Sequence, residues 1–143
     1  MHRNPRRMRI AALSSLLIIP ACGAPEVTQD RVDAVLAAAP CQAHPIRATV
    51  DADRHQVRWE APMLARLADH PDEAGVSFLI TQVALLGGEL SRSRLYLDPS
   101  SGEARLQLVI DTAEGSSEDR LRRAHAEICG DAERLAPRLR RER

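Results

Sequence analysis

The sequence of 143 residues has no lysine, one residue each of Trp, Tyr and Phe, and three cysteines. Residues 26–119 carry 8 Arg against 16 Asp and Glu, a balance of −8. Nucleic-acid-binding proteins need a basic face, often with aromatic rings that stack on bases. These shortages argue against a nucleic acid as partner, and the scarcity of rings also weakens a sugar-binding function.

Sequence motifs of catalysis are also missing. The chain contains no G-x-S-x-G, no H-E-x-x-H, no P-loop and no G-x-G-x-x-G. The length fits one small globular domain. We therefore predict a protein that is not an enzyme and that holds no cofactor.

The N-terminus has the pattern of an export signal. Residues 1–9 carry four arginines and no acid, and residues 10–19 are apolar except for Ser14 and Ser15. Ten such residues are too few to span a bilayer as a helix but are typical of a signal peptide.

The five residues that follow, Ile19-Pro20-Ala21-Cys22-Gly23, resemble the lipobox of bacterial lipoproteins. This resemblance implies cleavage before Cys22 and acylation of Cys22, which makes the protein a palmitate-bearing lipoprotein anchored to a membrane. Gly23 in place of Asp implies the periplasmic face of the outer membrane rather than the inner membrane. The alternative is an ordinary secretory signal that is cut near Ala24.

Two cysteines remain if Cys22 is lipidated. Paired cysteines in the oxidising cell envelope most often form a disulfide, so we predict a Cys41–Cys129 bond. One alternative is a pair of free thiols, and another is a metal-binding or redox lipoprotein. In it Cys41, His44, His125 and Cys129 would bind zinc, since C-x2-H and H-x3-C spacings suit a tetrahedral site.

Periodicity predicts an alternation of helices and hairpins. Thr28 can cap a helix that ends at Pro40, and residues 46–61 alternate as a hairpin. Residues 62–70 suggest a short helix with Pro62 in its first position. Asp72 can cap a further helix that reaches Leu86 and is apolar almost all round, which predicts burial. A strand over residues 76–83 is the alternative.

The C-terminal half is patterned more clearly. Residues 91–111 form a second hairpin around a turn that ends at Gly102. Ser116 or Ser117 caps a long amphipathic helix that Pro137 should end or kink. The tail beyond it carries Arg138, Arg140, Arg141 and Arg143. This tail is either a solvated end or a contact with anionic lipid headgroups. The second interpretation requires the first and last helices to run antiparallel, so that the tail returns toward Thr28.

This order of elements resembles the type III secretion chaperone-like fold of the Tir chaperone family. The resemblance is most specific in residues 74–135, where an apolar helix ends in Gly-Gly and is followed by Leu95-Tyr-Leu-Asp-Pro-Ser-Ser-Gly102. It implies an α+β fold in which N-terminal, central and long C-terminal helices flank an antiparallel sheet of two hairpins. The family usually has a third strand where residues 62–70 look helical. Its members are typically cytosolic dimers that bind polypeptides and are not enzymes.

The combined prediction divides the chain into four parts. Residues 1–21 are a signal peptide, 22–27 a lipidated Cys with a short tether, 28–136 the α+β domain, and 137–143 an Arg-rich tail. If this export signal works, it excludes chaperoning in the cytosol. We predict an envelope lipoprotein that binds a protein partner as a chaperone-like or pilotin-like module, with a homodimer as one possible state.

Overall fold

A computed structural model describes residues 25–42 and 44–139. The predictions for the signal peptide, Cys22, Arg140, Arg141 and Arg143 lie outside these residues. The elements are α1 (Gln29–Ala38), β1 (Arg47–Asp51), β2 (Gln56–Arg66), a 3-10 turn (Leu67–Asp69), α2 (Glu73–Gly87), β3 (Arg94–Leu97), β4 (Glu103–Asp111) and α3 (Glu118–Leu139).

The helices begin at the residues whose side chains can cap them. Thr28 accepts a hydrogen bond from the Arg31 amide, and Asp72 accepts one from the Gly75 amide. Ser117 Oγ accepts from the Arg120 amide at the start of α3. Each oxygen satisfies an amide that has no partner inside its helix. The predicted helix starts are confirmed, and residues 76–83 are helical.

The four strands form one antiparallel sheet in the order β1-β2-β4-β3. β2 and β4 are the central strands, and their residues alternate between buried and more exposed. The buried side chains of β2 include Trp59, which is fully enclosed. Since only one face is buried, all three helices cover that face: α1 contacts β1, α2 contacts β3, and α3 contacts β2 and β4. The uncovered side is called the open face below.

The predicted short helix in residues 62–70 is wrong. β2 continues through Pro62 to Arg66, and only Leu67–Asp69 turn helically. β1 pairs with β2 only as far as Glu60, so Pro62 has a strand neighbour on one side alone. Proline is tolerated at such edge-like positions, since its missing amide then costs little. The register of β2 against β4 shifts just after this point, between Pro62 and Arg66.

Pro137 does not end α3. The helix runs on to Leu139, whose side chain is buried in the core. The domain therefore extends beyond the predicted boundary at residue 136. No helix among the described residues has both the length and the apolar character needed to cross a membrane.

Candidate functional site

The structure contains the predicted disulfide bond between Cys41 and Cys129. The Sγ atoms of Cys41 and Cys129 are 2.08 Å apart, and their Cα atoms are 5.7 Å apart. This bond fastens the segment after α1 to the middle of α3.

The four-residue zinc site is wrong for the described residues. The carboxylate that lies near the two sulfurs belongs to Glu133, whose Oε1 is 3.6 Å from Cys129 Sγ and 3.9 Å from Cys41 Sγ. His125 is buried, and its Nε2 lies 2.6 Å from the carbonyl oxygen of Ala39. His44 is buried and is not part of the sulfur cluster. The two histidines are held in the packing between elements instead of meeting the sulfurs.

Helices α1 and α3 run parallel. Arg31, near the start of α1, donates to the carbonyl of Ser116, just before α3. Further along, Ala39 meets His125 and Cys41 meets Cys129. The end of α3 therefore points away from Thr28, so the antiparallel geometry that the lipid-contact interpretation required is wrong. Arg138 also pairs with Glu89 at 2.5 Å.

One edge of the sheet is closed by a single side chain. Gln29 donates from Nε2 to the carbonyl of Ala48 and accepts at Oε1 from the amide of Val50, at 2.8 and 2.9 Å. These are two of the outward-facing groups of β1, which a neighbouring strand would otherwise bind. The side-chain amide of Gln29 thus occupies part of the place of a fifth strand.

The opposite edge, along β3, is open. The amide of Asp98 bonds to the carbonyl of Glu103 in β4, and bonding direction alternates along an antiparallel strand. Arg94 and Tyr96 therefore face β4, while Leu95 and Leu97 direct their backbone groups outward. In the part of the chain that the structure describes, those outward groups of Leu95 and Leu97 have no hydrogen-bond partner.

A groove of about 490 Å³ lies between this edge and α2. We call it the α2–β3 groove. It is lined by Ile80, Val83, Ala84 and Gly87 from α2 and by residues 93–97. Gly87 lies close to the Leu95 carbonyl oxygen, since a Cβ there would be 3.5 Å from it. The groove thus combines an apolar wall with unpaired backbone groups.

Helix α2 also exposes apolar side chains. Leu85 is 60% exposed, Ile80 50% and Phe78 37%, so the predicted burial of this helix almost all round is wrong. The buried side chains lie along a single stripe that includes Leu79, Val83 and Leu86. No charged residue occurs from Ala74 to Gly88. This uncharged run is the feature of the sequence that indicates an apolar helix. It does not distinguish a helix that is buried on all sides from one with an exposed apolar face.

Ion pairs fix the segment between α2 and β3. Glu89 pairs with Arg134 and Arg138, both on α3, and Arg92 pairs with Glu127 on the same helix. The hydrogen bond from Arg138 holds the pKa of Glu89 below its usual value. These contacts fasten the segment that connects the two walls of the α2–β3 groove to α3.

The open face next to the groove carries both arginines and acids, Glu60 and Glu103 among the latter. Three of its arginines, Arg47, Arg58 and Arg94, form no ion pair with the described residues. Arg94 lies 4.9 Å above the ring of Tyr96. A fourth, Arg105, pairs with Asp98. Hydrogen bonds from Ser100, supported by Arg105, lower the pKa of Asp98 to about 2, so this carboxylate stays charged.

Comparison with known proteins identifies a solved structure with a similar fold. A chain of the crystal structure of the ExsC–ExsE complex superposes with a TM-score of 0.55 and 16% sequence identity, covering 71% of this chain and 73% of that chain. No family model and no curated protein matches the sequence. The fold is the α+β, type III secretion chaperone-like arrangement that the resemblance implied.

Proposed function

We propose that this protein is a non-enzymatic, polypeptide-binding module that takes up an extended segment of a partner along β3. The observation that carries the proposal is the open edge of β3 beside the uncharged wall of α2. An extended chain that pairs with such an edge gains main-chain hydrogen bonds, while its alternate side chains fill the adjoining pockets. The neighbour in fold comes from a complex of two proteins, ExsC and ExsE, which supports a polypeptide as the ligand.

The two sheet edges favour one bound segment per chain. Gln29 occupies the outward groups of Ala48 and Val50, so β1 cannot accept a strand without losing those bonds. Among the described residues, a strand added at the outward groups of Leu95 and Leu97 would break no existing hydrogen bond. A second copy of the chain is the alternative occupant, since it would also cover Phe78 and Leu85.

The proposal predicts that binding depends on the outward amide of Leu97. Leu97→Pro removes this donor but keeps the bonds between β3 and β4, since Leu97 faces away from β4. A photo-crosslinking residue at Ala84, in the groove, should capture a discrete polypeptide, and Leu97→Pro should abolish that adduct. The same crosslinker at Asp53, in the β1–β2 turn, is the matched control and should capture nothing.

Persistence of the adduct in a folded Leu97→Pro variant would count against strand addition. An adduct that consists of two copies of this chain would assign the groove to a homodimer. The unfolding midpoint of the variant shows whether its fold is retained.

We further propose that the module is an envelope lipoprotein anchored through Cys22 at the periplasmic face of the outer membrane. Val27 is buried, and the carbonyls of Pro25 and Glu26 accept hydrogen bonds from Arg31. Three residues from Cys22 to Pro25 span at most about 10 Å, so the anchor would hold the domain close to the membrane. Labelled palmitate should enter the wild-type chain and not Cys22→Ser, whereas Cys41→Ala should retain the label. Equal labelling of Cys22→Ser would refute the anchor.

One specific form of this function is that of a pilotin, which escorts a protein to the outer membrane. Deletion of the gene should then deplete one envelope protein from the outer membrane, and expression of the wild-type chain should restore it. Unchanged levels of every outer-membrane protein would exclude the escort function.

A further inference from the structure

We infer that the α2–β3 groove selects extended segments in which apolar residues alternate with acidic ones. This inference rests on the proposed function and adds the chemistry of the partner. It follows from the difference between the two sides of β3.

The two sides of an added strand would meet different surfaces. Successive side chains of a strand point to opposite faces of the sheet. One set would lie on the helix-covered side, against Leu95, Ile80 and Val83 in the groove. The other set would lie on the open face, next to Arg94 and Tyr96, at the distance of a cross-strand pair.

The groove side excludes charge. Its wall on α2 has no Asp, Glu or Arg from Ala74 to Gly88, so it offers no partner to a charged group. A charge placed there would lose water without gaining an ion pair. Apolar side chains are therefore favoured on the side of the added strand that faces α2.

Arg94 places a positive charge at the β3 edge of the open face. Arg94 stands at the end of a cross-strand row whose other members are Gln107, Glu60 and Arg47. Glu60 accepts a hydrogen bond from Gln107 and lies two strands away from β3. Asp98, the acid that follows β3 directly, is already paired with Arg105. Arg94 is thus the charge nearest to an added strand that has no carboxylate partner within the described residues.

The test compares three fluorescent peptides of about nine residues, a length that covers the short β3 strand with a margin. All three have valine at every second position, and the positions between hold aspartate, serine or arginine. Binding to the full chain in a mild detergent is followed by fluorescence anisotropy, with a detergent blank. The aspartate peptide should bind about two- to fivefold more tightly than the serine peptide, the range of a partly exposed ion pair, and the arginine peptide most weakly.

Arg94→Glu should reverse the order of the aspartate and arginine peptides. Arg47→Glu is the matched control, since it makes the same charge change in the same row at the opposite edge, about 14 Å away at ~4.8 Å per strand. It should leave the order unchanged. Raising the salt concentration should narrow the difference between the aspartate and serine peptides.

The outcomes separate the two proposals. Equal binding of the aspartate and serine peptides would overturn the acidic preference and leave strand addition standing. Binding of none of the three peptides would overturn both proposals. If Arg47→Glu changed the order of the peptide affinities as much as Arg94→Glu does, that result would indicate a general electrostatic effect of the open face. It would overturn the assignment to Arg94.

Discussion

At the scale of single residues, one glutamine decides which sheet edge is available. Gln29 bonds to two of the outward backbone groups of β1, the carbonyl of Ala48 and the amide of Val50, and also donates to Asp33. Unprotected edge strands pair readily with other chains, and proteins block them by several devices. Here a side chain of α1 blocks β1, and the opposite edge is left open.

We predict that Gln29→Ala lowers the free energy of unfolding by about 1 kcal/mol, the usual net value of hydrogen bonds lost at a partly buried site. The urea midpoint should fall with an unchanged m-value. Asp33→Ala is the control, since it removes only the bond between Gln29 and Asp33. If both variants lose the same stability, the closure of the β1 edge contributes nothing.

The turn between β3 and β4 should make the stability of the fold depend on pH in the acidic range. The pKa of Asp98 is lowered from 3.8 to about 2 by Ser100 and Arg105. A carboxyl group whose pKa is lower in the folded state contributes stability above its unfolded pKa, and this contribution disappears as pH falls through the folded value. We therefore expect the urea midpoint of the wild type to fall between pH 3.8 and about 2.

Asp98→Asn should weaken this dependence on pH, since its side-chain oxygen can still accept from the Ser100 amide but does not titrate. The comparison is made from urea midpoints across the same pH range. A variant as acid-sensitive as the wild type would show that other carboxylates cause the effect.

At the scale of elements, α2 has two apolar faces, one packed in the core and one exposed. Leu86 is fully buried, and its neighbour Leu85 is 60% exposed. We expect Leu86→Ala to cost about 2–5 kcal/mol, as for other buried leucines, and Leu85→Ala to cost less than about 0.5 kcal/mol. Urea unfolding of the two variants measures this difference. Similar losses would mean that the exposed face of α2 is covered in solution, by a second copy of the chain or by another partner.

The elements differ in how well the sequence predicts them. The hairpins follow from alternation, and the helix starts follow from Thr28, Asp72 and Ser117. Residues 62–70 could not be assigned in this way. Proline suits both the first turn of a helix and a strand without a second neighbour, and only the length of β1 decides between them. The effect of Pro137 could not be predicted from the sequence either. The helix continues past it because the side chain of Leu139, in the last turn of α3, is buried in the core.

At the scale of the whole molecule, the groove could not be predicted because it joins distant segments. The apolar run in α2 and the short strand β3 are both visible in the sequence. Their relative position is a matter of tertiary contacts, among them the pairs that Glu89 makes with Arg134 and Arg138, far along the chain. The direction of α1 against α3 likewise depends on tertiary contacts, such as those of Arg31 and His125. Periodicity predicts single helices and strands, but it does not predict how they are placed and directed relative to one another.

The bond between Cys41 and Cys129 should act on the molecule as a whole. It joins residues 88 positions apart, for which the chain-entropy model gives roughly 4–5 kcal/mol, although measured gains are often smaller. We expect replacement of both cysteines by serine to lower the free energy of unfolding by about 2–4 kcal/mol. The packing of α1 on α3 and the contact between His125 and Ala39 do not need the bond, so the folded state should persist.

The origin of this loss can be measured directly. Without the crosslink the unfolded chain expands and exposes more surface, so the m-value should rise as the midpoint falls. Dithiothreitol should reproduce both changes in the wild type and have no effect on the double serine variant.

The bond lies between α1 and α3, and no residue that lines the α2–β3 groove belongs to it. Peptide binding should therefore survive reduction under conditions in which the chain stays folded. A loss of binding on reduction, with the fold intact, would instead show that the crosslink positions the groove.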